Sequence, residues 1–137
     1  MHHIATQFEQ IHFVRFRNGD DILESLQQFV ADQGIGNALI LNGFGSVSRY
    51  HFHVVASNEL PPAEAYPKGE KPLDIASMSG AVLKGRVHAH ITFTDDRIAL
   101  GGHLEPDCKV LTFAMVCLAE LEDDTDLSAW DTLTLEG

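Results

Sequence analysis

His88, His90 and His103 are the residues whose types and spacing could do chemistry. His88 and His90 stand two apart in a stretch that alternates. Val87, Ala89, Ile91 and Phe93 would line one face of a strand, and Arg86, His88, His90 and Thr92 the other. Two such histidines project the same way, about 6.5–7 Å apart at the backbone. Imidazole nitrogens bind zinc at about 2.0–2.1 Å, so side chains of that reach can converge on one ion. The Asp95-Asp96 turn predicts a hairpin of 87–93 with 98–104, which carries His103 back past the His88/His90 strand. Gly101 and Gly102 remove side chains from its approach. Three histidines leave one tetrahedral position open, the arrangement of catalytic or ligand-binding sites rather than structural ones. Glu105 is near enough to be a fourth ligand or to hydrogen-bond one. Half-exposed strands also carry polar residues on their outer face for no other reason than solvation, so spacing alone leaves both readings open.

The other candidates are weaker. His51 and His53 repeat the two-apart spacing and suggest a second site; the lone His12 reads as structural. There is no P-loop, no dinucleotide-binding glycine fingerprint and no nucleophile elbow. Gly43-Phe44-Gly45-Ser46 looks like an anion-binding turn, but a helix N-terminus normally completes such a site and a strand follows instead. Ser46 has no base assigned to it.

The elements that must position these residues read as one helix followed mainly by strands. Gln10 to Phe16 is β-compatible. Ile22, Leu23, Leu26, Phe29 and Val30 recur at helical spacing, with Asp20 or Asp21 as N-cap, Glu24 placed as in a capping box, and Gly34 as the left-handed stop. Ala38 to Asn42 is a short strand, ended by a turn or close approach at Gly43 and Gly45. Val47 to Val55 is a longer one. Ala56 to Pro72, rich in proline, reads as an irregular loop that would be connector or lid. Leu73 to Met78, Val82 to Thr94, Ile98 to Leu100 and the apolar run Val110 to Leu121 are further strands. The pattern is α+β with an antiparallel or mixed sheet. Glu122 to Asp126 opens an acidic extension, 122–137, whose Trp130, Leu133 and Leu135 could dock on the body or a neighbour.

The chain has 137 residues, consistent with one domain over 1–137. Its net charge is -11, from 9 basic against 20 acidic residues, and the basic ones are scattered. Direct nucleic-acid binding draws on clustered lysine and arginine, so it is not expected, and anionic membrane surfaces are disfavoured too. No apolar run approaches the ~18 residues of a membrane span, and Met1-His2-His3-Ile4 does not open a signal peptide. Cys108 and Cys117 match no redox or zinc spacing. Cys117 reads as a buried free thiol, and the location expected is the reducing cytoplasm.

In order along the chain come Gly43-Phe44-Gly45-Ser46-Val47-Ser48-Arg49, Met78-Ser79-Gly80, His88-Ala89-His90, Gly101-Gly102-His103-Leu104 and the run from Cys108-Lys109-Val110 to Leu121. In this the sequence resembles the PPC (plant and prokaryote conserved, DUF296) domain family over roughly residues 8 to 121. The resemblance implies a central, mostly antiparallel sheet with one main N-terminal helix, a homotrimer, and zinc or another divalent metal held by His88, His90 and His103. Plant members carry AT-hooks and act in the nucleus. No such hook is present here, so the resemblance implies an assembly or DNA-associated regulatory module without DNA contacts of its own. The fold also resembles that of acetolactate decarboxylase, whose zinc sits on a similar histidine set. On that likeness a metal-dependent lyase or hydrolase acting on a small oxo or carboxylate compound is one expectation, with Arg49, Arg86 and Glu105 as candidate catalytic groups. The other catalytic groups of the decarboxylase have no counterpart motif.

Overall fold

The helix forms where its capping residues put it. In the computed structural model, which describes residues 1–133, α1 spans Ile22–Gln33 and turns Ile22, Leu26 and Val30 into the core. The Asp21 carboxylate accepts the amide of Glu24 at 3.0 Å, and Gly34 closes the last turn in the left-handed conformation. The other oxygen of Asp21 accepts the amide of Asp107 at 2.7 Å. The cap therefore also ties the helix to the segment leading into the last strand.

The strands are β1 (Phe8–Arg17), β2 (Ala38–Val55), β3 (Glu64–Ala65), β4 (Lys68–Leu83), β5 (Arg86–Thr94), β6 (Ala99–Leu104) and β7 (Lys109–Leu121). Their order is β1-β7-β2-β4-β5-β6, with β3 paired to β2. Every pairing among the described residues is antiparallel. The fold is thus α+β with an antiparallel sheet, as the pattern of apolar residues predicts. β2 is its hub. Its first half lies between β7 and β4, and its end reaches across to β6, pairing Phe52 with Leu104 and His53 with His103. That last pairing closes β2, β4, β5 and β6 into a ring. α1 covers one face of the sheet. Its apolar stripe joins Phe16, Ile40, Phe93, Leu104, Val116 and Leu118 in one buried cluster, where each large side chain contributes about 1.5–3 kcal/mol.

Three element boundaries differ from expectation. Ala38 to Val55 is one strand, not two broken at Gly43 and Gly45. A Cβ on Gly45 would lie 2.2 Å from the Phe113 carbonyl oxygen. The glycine serves close approach to β7, and the long strand's pairing with β7 is interrupted by bulges at Ile40/Asn42 and on either side of Val47. Conversely, Val82 to Thr94 is not one strand. Lys84 (φ 50) and Gly85 (φ 79) form a two-residue reversal that pairs Leu83 with Arg86, as primed hairpin turns do. The expected loop 56–72 is shorter, because β3 pairs with the end of β2 and β4 begins at Lys68.

Cys117, expected to be buried, is only partly so. Cys108 is fully buried and Cys117 half-buried, both as free thiols. Alternation sends Val116 and Leu118 toward the helix and Cys117 to the opposite face, opposite Phe13. Cys108 is enclosed by the backbone of His51, and burial pushes its thiol up to about 12. Beyond β7 the chain docks through Leu127, which packs with Leu83 and Leu121. Trp130 is half exposed and Leu133 is exposed; Leu135 lies outside the described residues. No helix among the described residues is long and apolar enough to cross a membrane.

Candidate metal centre

The ring closure of the sheet builds a row of histidines. His103 on β6 is the register partner of His90 on β5 and, on its other side, of His53 on β2. Neighbouring strands lie about 4.8 Å apart, so three imidazoles on adjacent strands at one level must crowd. The His53 and His103 rings stack with centroids 4.3 Å apart. The ring of His88, on the same face of β5 as His90, lies 4.6 Å from that of His103 and 5.6 Å from that of His90. His90 and His103 are 5.8 Å apart. All four line one depression of about 340 Å³ with Val54, Val55 and Gly102.

Gly101 and Gly102 make the crowding sterically feasible. A Cβ on Gly101 would stand 2.0 Å from the Ile91 carbonyl oxygen, and one on Gly102 would stand 2.4 Å from that of His53. With any larger residue there, β6 could not be gripped between β5 and β2 at this level. Their role is thus broader than clearing a path for His103.

Carboxylates hold three of the four rings, those of His53, His88 and His103, by one nitrogen each. Glu105 Oε1 accepts from Nδ1 of His103 at 3.2 Å and from Nδ1 of His53. Asp131 accepts from His88 Nδ1 at 2.8 Å and from both terminal nitrogens of Arg86. These bonds leave the Nε2 atoms of His53, His88 and His103 as the nitrogens with lone pairs to offer. Burial, then the neighbouring histidines, lowers the pKa of His90 and of His103 below the usual histidine value. Both shifts favour the neutral ring, the form that binds metal. The bond from Arg86, reinforced by His88, holds the Asp131 carboxyl well below the usual carboxylate range. The segment between β2 and β4 packs beside His53: the Tyr66 ring is 5.2 Å from that of His53, and its hydroxyl donates to Glu64 at 2.7 Å.

Of the expected site residues, His88, His90, His103 and Glu105 come together, and Arg86 stands at their edge with its guanidinium engaged by Asp131. Arg49 does not join them. It is paired at 2.6 Å with both Glu70 and Asp107. His53, expected in a separate pair with His51, belongs to this cluster, while His51 turns to the Pro106 carbonyl. The two-apart spacing marked His53 as a candidate, but only the β2–β6 pairing shows where it goes. Asp131, in the acidic extension, carried no sequence signal. Among the described residues, the group whose ligand atoms all lie within 4.8 Å of one another is His53, His103 and Glu105, with His88 and His90 beside it. A donor set of partly buried imidazoles with carboxylates behind them fits a divalent transition metal.

The antiparallel sheet with its one covering helix is a fold shared with solved proteins. A metal-containing protein of Archaeoglobus fulgidus superposes with a TM-score of 0.80 at 23% identity, over 89% of this chain and 86% of that one. A plant- and prokaryote-conserved protein of Pyrococcus horikoshii does so with 0.74 at 22% identity, over 91% and 87%. The chain belongs to the Plants and Prokaryotes Conserved (PCC) domain family, whose model matches residues 3–122. A bifunctional protein GlmU of Synechococcus is 28% identical over 112 residues, which are 81% of this chain and 17% of that protein. This chain therefore spans less than a fifth of the length of the curated relatives it matches.

Proposed function

We propose that His88, His90 and His103 hold one divalent metal ion, zinc, and that its open position binds a small oxo- or carboxylate-bearing molecule. The observation that carries this reading is the register: His90 and His103 face each other across β5 and β6, and the His88 ring forms a triangle with theirs, 4.6 Å from His103 and 5.6 Å from His90, at the same open depression. The metal-containing relative with the same fold supports it. Bound zinc supplies Lewis acidity, to polarise a carbonyl or to make a bound water a nucleophile, so a lyase or hydrolase reaction is the chemistry such a site could carry. The protein's own part is to orient the ligands: Glu105 fixes His103, and it fixes His53 beside it, within reach as a further ligand or as a proton acceptor. Calorimetric titration of zinc into protein stripped with chelator tests this. One ion per chain is expected, with affinity at least 100-fold weaker in His88→Ala or His103→Ala. Undiminished affinity in both variants would refute it.

A second reading is a non-enzymatic assembly module in the cytoplasm, a homotrimer acting through partners. It is favoured by the appearance of a related segment as a minor part of a bifunctional protein. The exposure of Ile11, Phe13 and Phe44 on the side of the β1–β7–β2 sheet away from the helix also favours it. Direct DNA binding is disfavoured by the charge of -11. Sedimentation equilibrium should give three chains per particle, and a shift assay at low salt should show no DNA complex.

A further inference from the structure

The acidic segment after β7 lies beyond residues 3–122, which the family model matches, yet it is built into the histidine cluster. Thr125 is buried; its hydroxyl meets that of Thr6 at 2.6 Å and its carbonyl accepts from Asn37 at 2.6 Å. Leu127 is buried against Leu83 and Leu121. With those anchors set, Asp131 arrives behind His88 with its side chain only 17% exposed, bonded to His88 Nδ1 and bidentate to Arg86. Arg86 and His88 share one face of β5, so a single carboxylate can grip both.

We propose that Asp131 is a positioning residue of the metal site, through which metal occupancy and docking of the segment after β7 stabilise each other. This rests on the metal reading above. A carboxylate on Nδ1 fixes the tautomer, makes Nε2 the ligating atom and raises its basicity, and losing such a partner typically costs about 10–100-fold in metal affinity. Glu105 plays the equivalent part for His103 from within the matched domain; for His88 that part falls to the extension. By linkage, whatever docking gives the metal, the metal returns to docking.

The chain carries its own reporter. Trp130, adjacent to Asp131, is the sole tryptophan. The test is zinc affinity of the full chain by competition with a chromophoric chelator, alongside Trp130 emission and thermal melting of the metal-free protein. In Asp131→Asn, zinc binding should weaken 10- to 100-fold. Asp131→Glu should recover part of that loss. Saturating zinc should shift Trp130 emission and slow proteolysis after β7 in the parent but not in Asp131→Asn. Comparable metal-free melting temperatures would show that the asparagine variant folds. Equal zinc affinity of parent and Asp131→Asn, or Trp130 emission indifferent to zinc, would overturn the coupling while leaving the metal site standing. Failure of the parent to bind zinc at all would overturn both.

Discussion

Replacing Gly102 with alanine should both destabilise the fold and loosen the metal site. The added Cβ would stand 2.4 Å from the His53 carbonyl oxygen and 2.7 Å from Val54 Cγ1. Ordinary contact begins near 3.4 Å, so β6 and β2 would have to part by about an ångström. The nearest atom is backbone, which cannot swing aside. Overpacking of this kind costs about 1–3 kcal/mol, and at roughly 4 °C per kcal/mol for a chain of this size the melting temperature should fall by about 4–12 °C. The displaced strand carries His103, so zinc affinity should fall too. Gly36→Ala is the control: nothing lies within 4 Å of its added Cβ and its φ is not positive, so the change should be neutral or stabilising by about 0.4–1 kcal/mol. Thermal melting of the metal-free proteins and zinc titration of each measure both effects. If Gly102→Ala melts and binds zinc as the parent does, the claim that close packing of β6 onto β2 makes the cluster is wrong.

Other outcomes follow from the same contacts. Asp21→Ala removes the acceptor for the Glu24 and Asp107 amides at a buried position and should cost about 2 kcal/mol in denaturant unfolding. The bond from Lys71, with the amides of Ile98 and Arg97, depresses the Asp95 carboxyl to about 2. Its contribution to stability should be complete above the ordinary value of 3.8 and be lost as pH falls toward about 2; an NMR titration should find the low value, and Lys71→Met should raise it. With its thiol pushed up to about 12 and fully buried, Cys108 should resist alkylation at pH 8 until the protein unfolds, as mass spectrometry of labelled peptides would show.

Much of this site could be read from the sequence because it depends on local rules. Alternation put His88 and His90 on one face, and the Asp95-Asp96 pair marked the short connection, 95–98, that returns His103 beside them; both are short-range properties of strands. The helix was equally legible, since Asp21, Glu24 and Gly34 state its ends. His53 was not, because it joins through the β2–β6 pairing, which closes the ring between strands far apart in sequence. The break at Lys84-Gly85 was hidden by apolar alternation that runs on through the turn. The opposite mistake at Gly43 and Gly45 has a related cause: glycine signals a reversal and a tight interstrand contact with the same letter, and only the neighbouring strand distinguishes them. Asp131 sits in a stretch that composition marks as solvated, and its role comes from where Thr125 and Leu127 dock.

The central claim, that the histidine row is a metal site, is tested most directly by elemental analysis of protein purified without added metal. The account predicts close to one divalent transition metal per chain, lost in the His88→Ala/His103→Ala double variant. Metal far below one per chain in the parent, or the same content in parent and double variant, would contradict it.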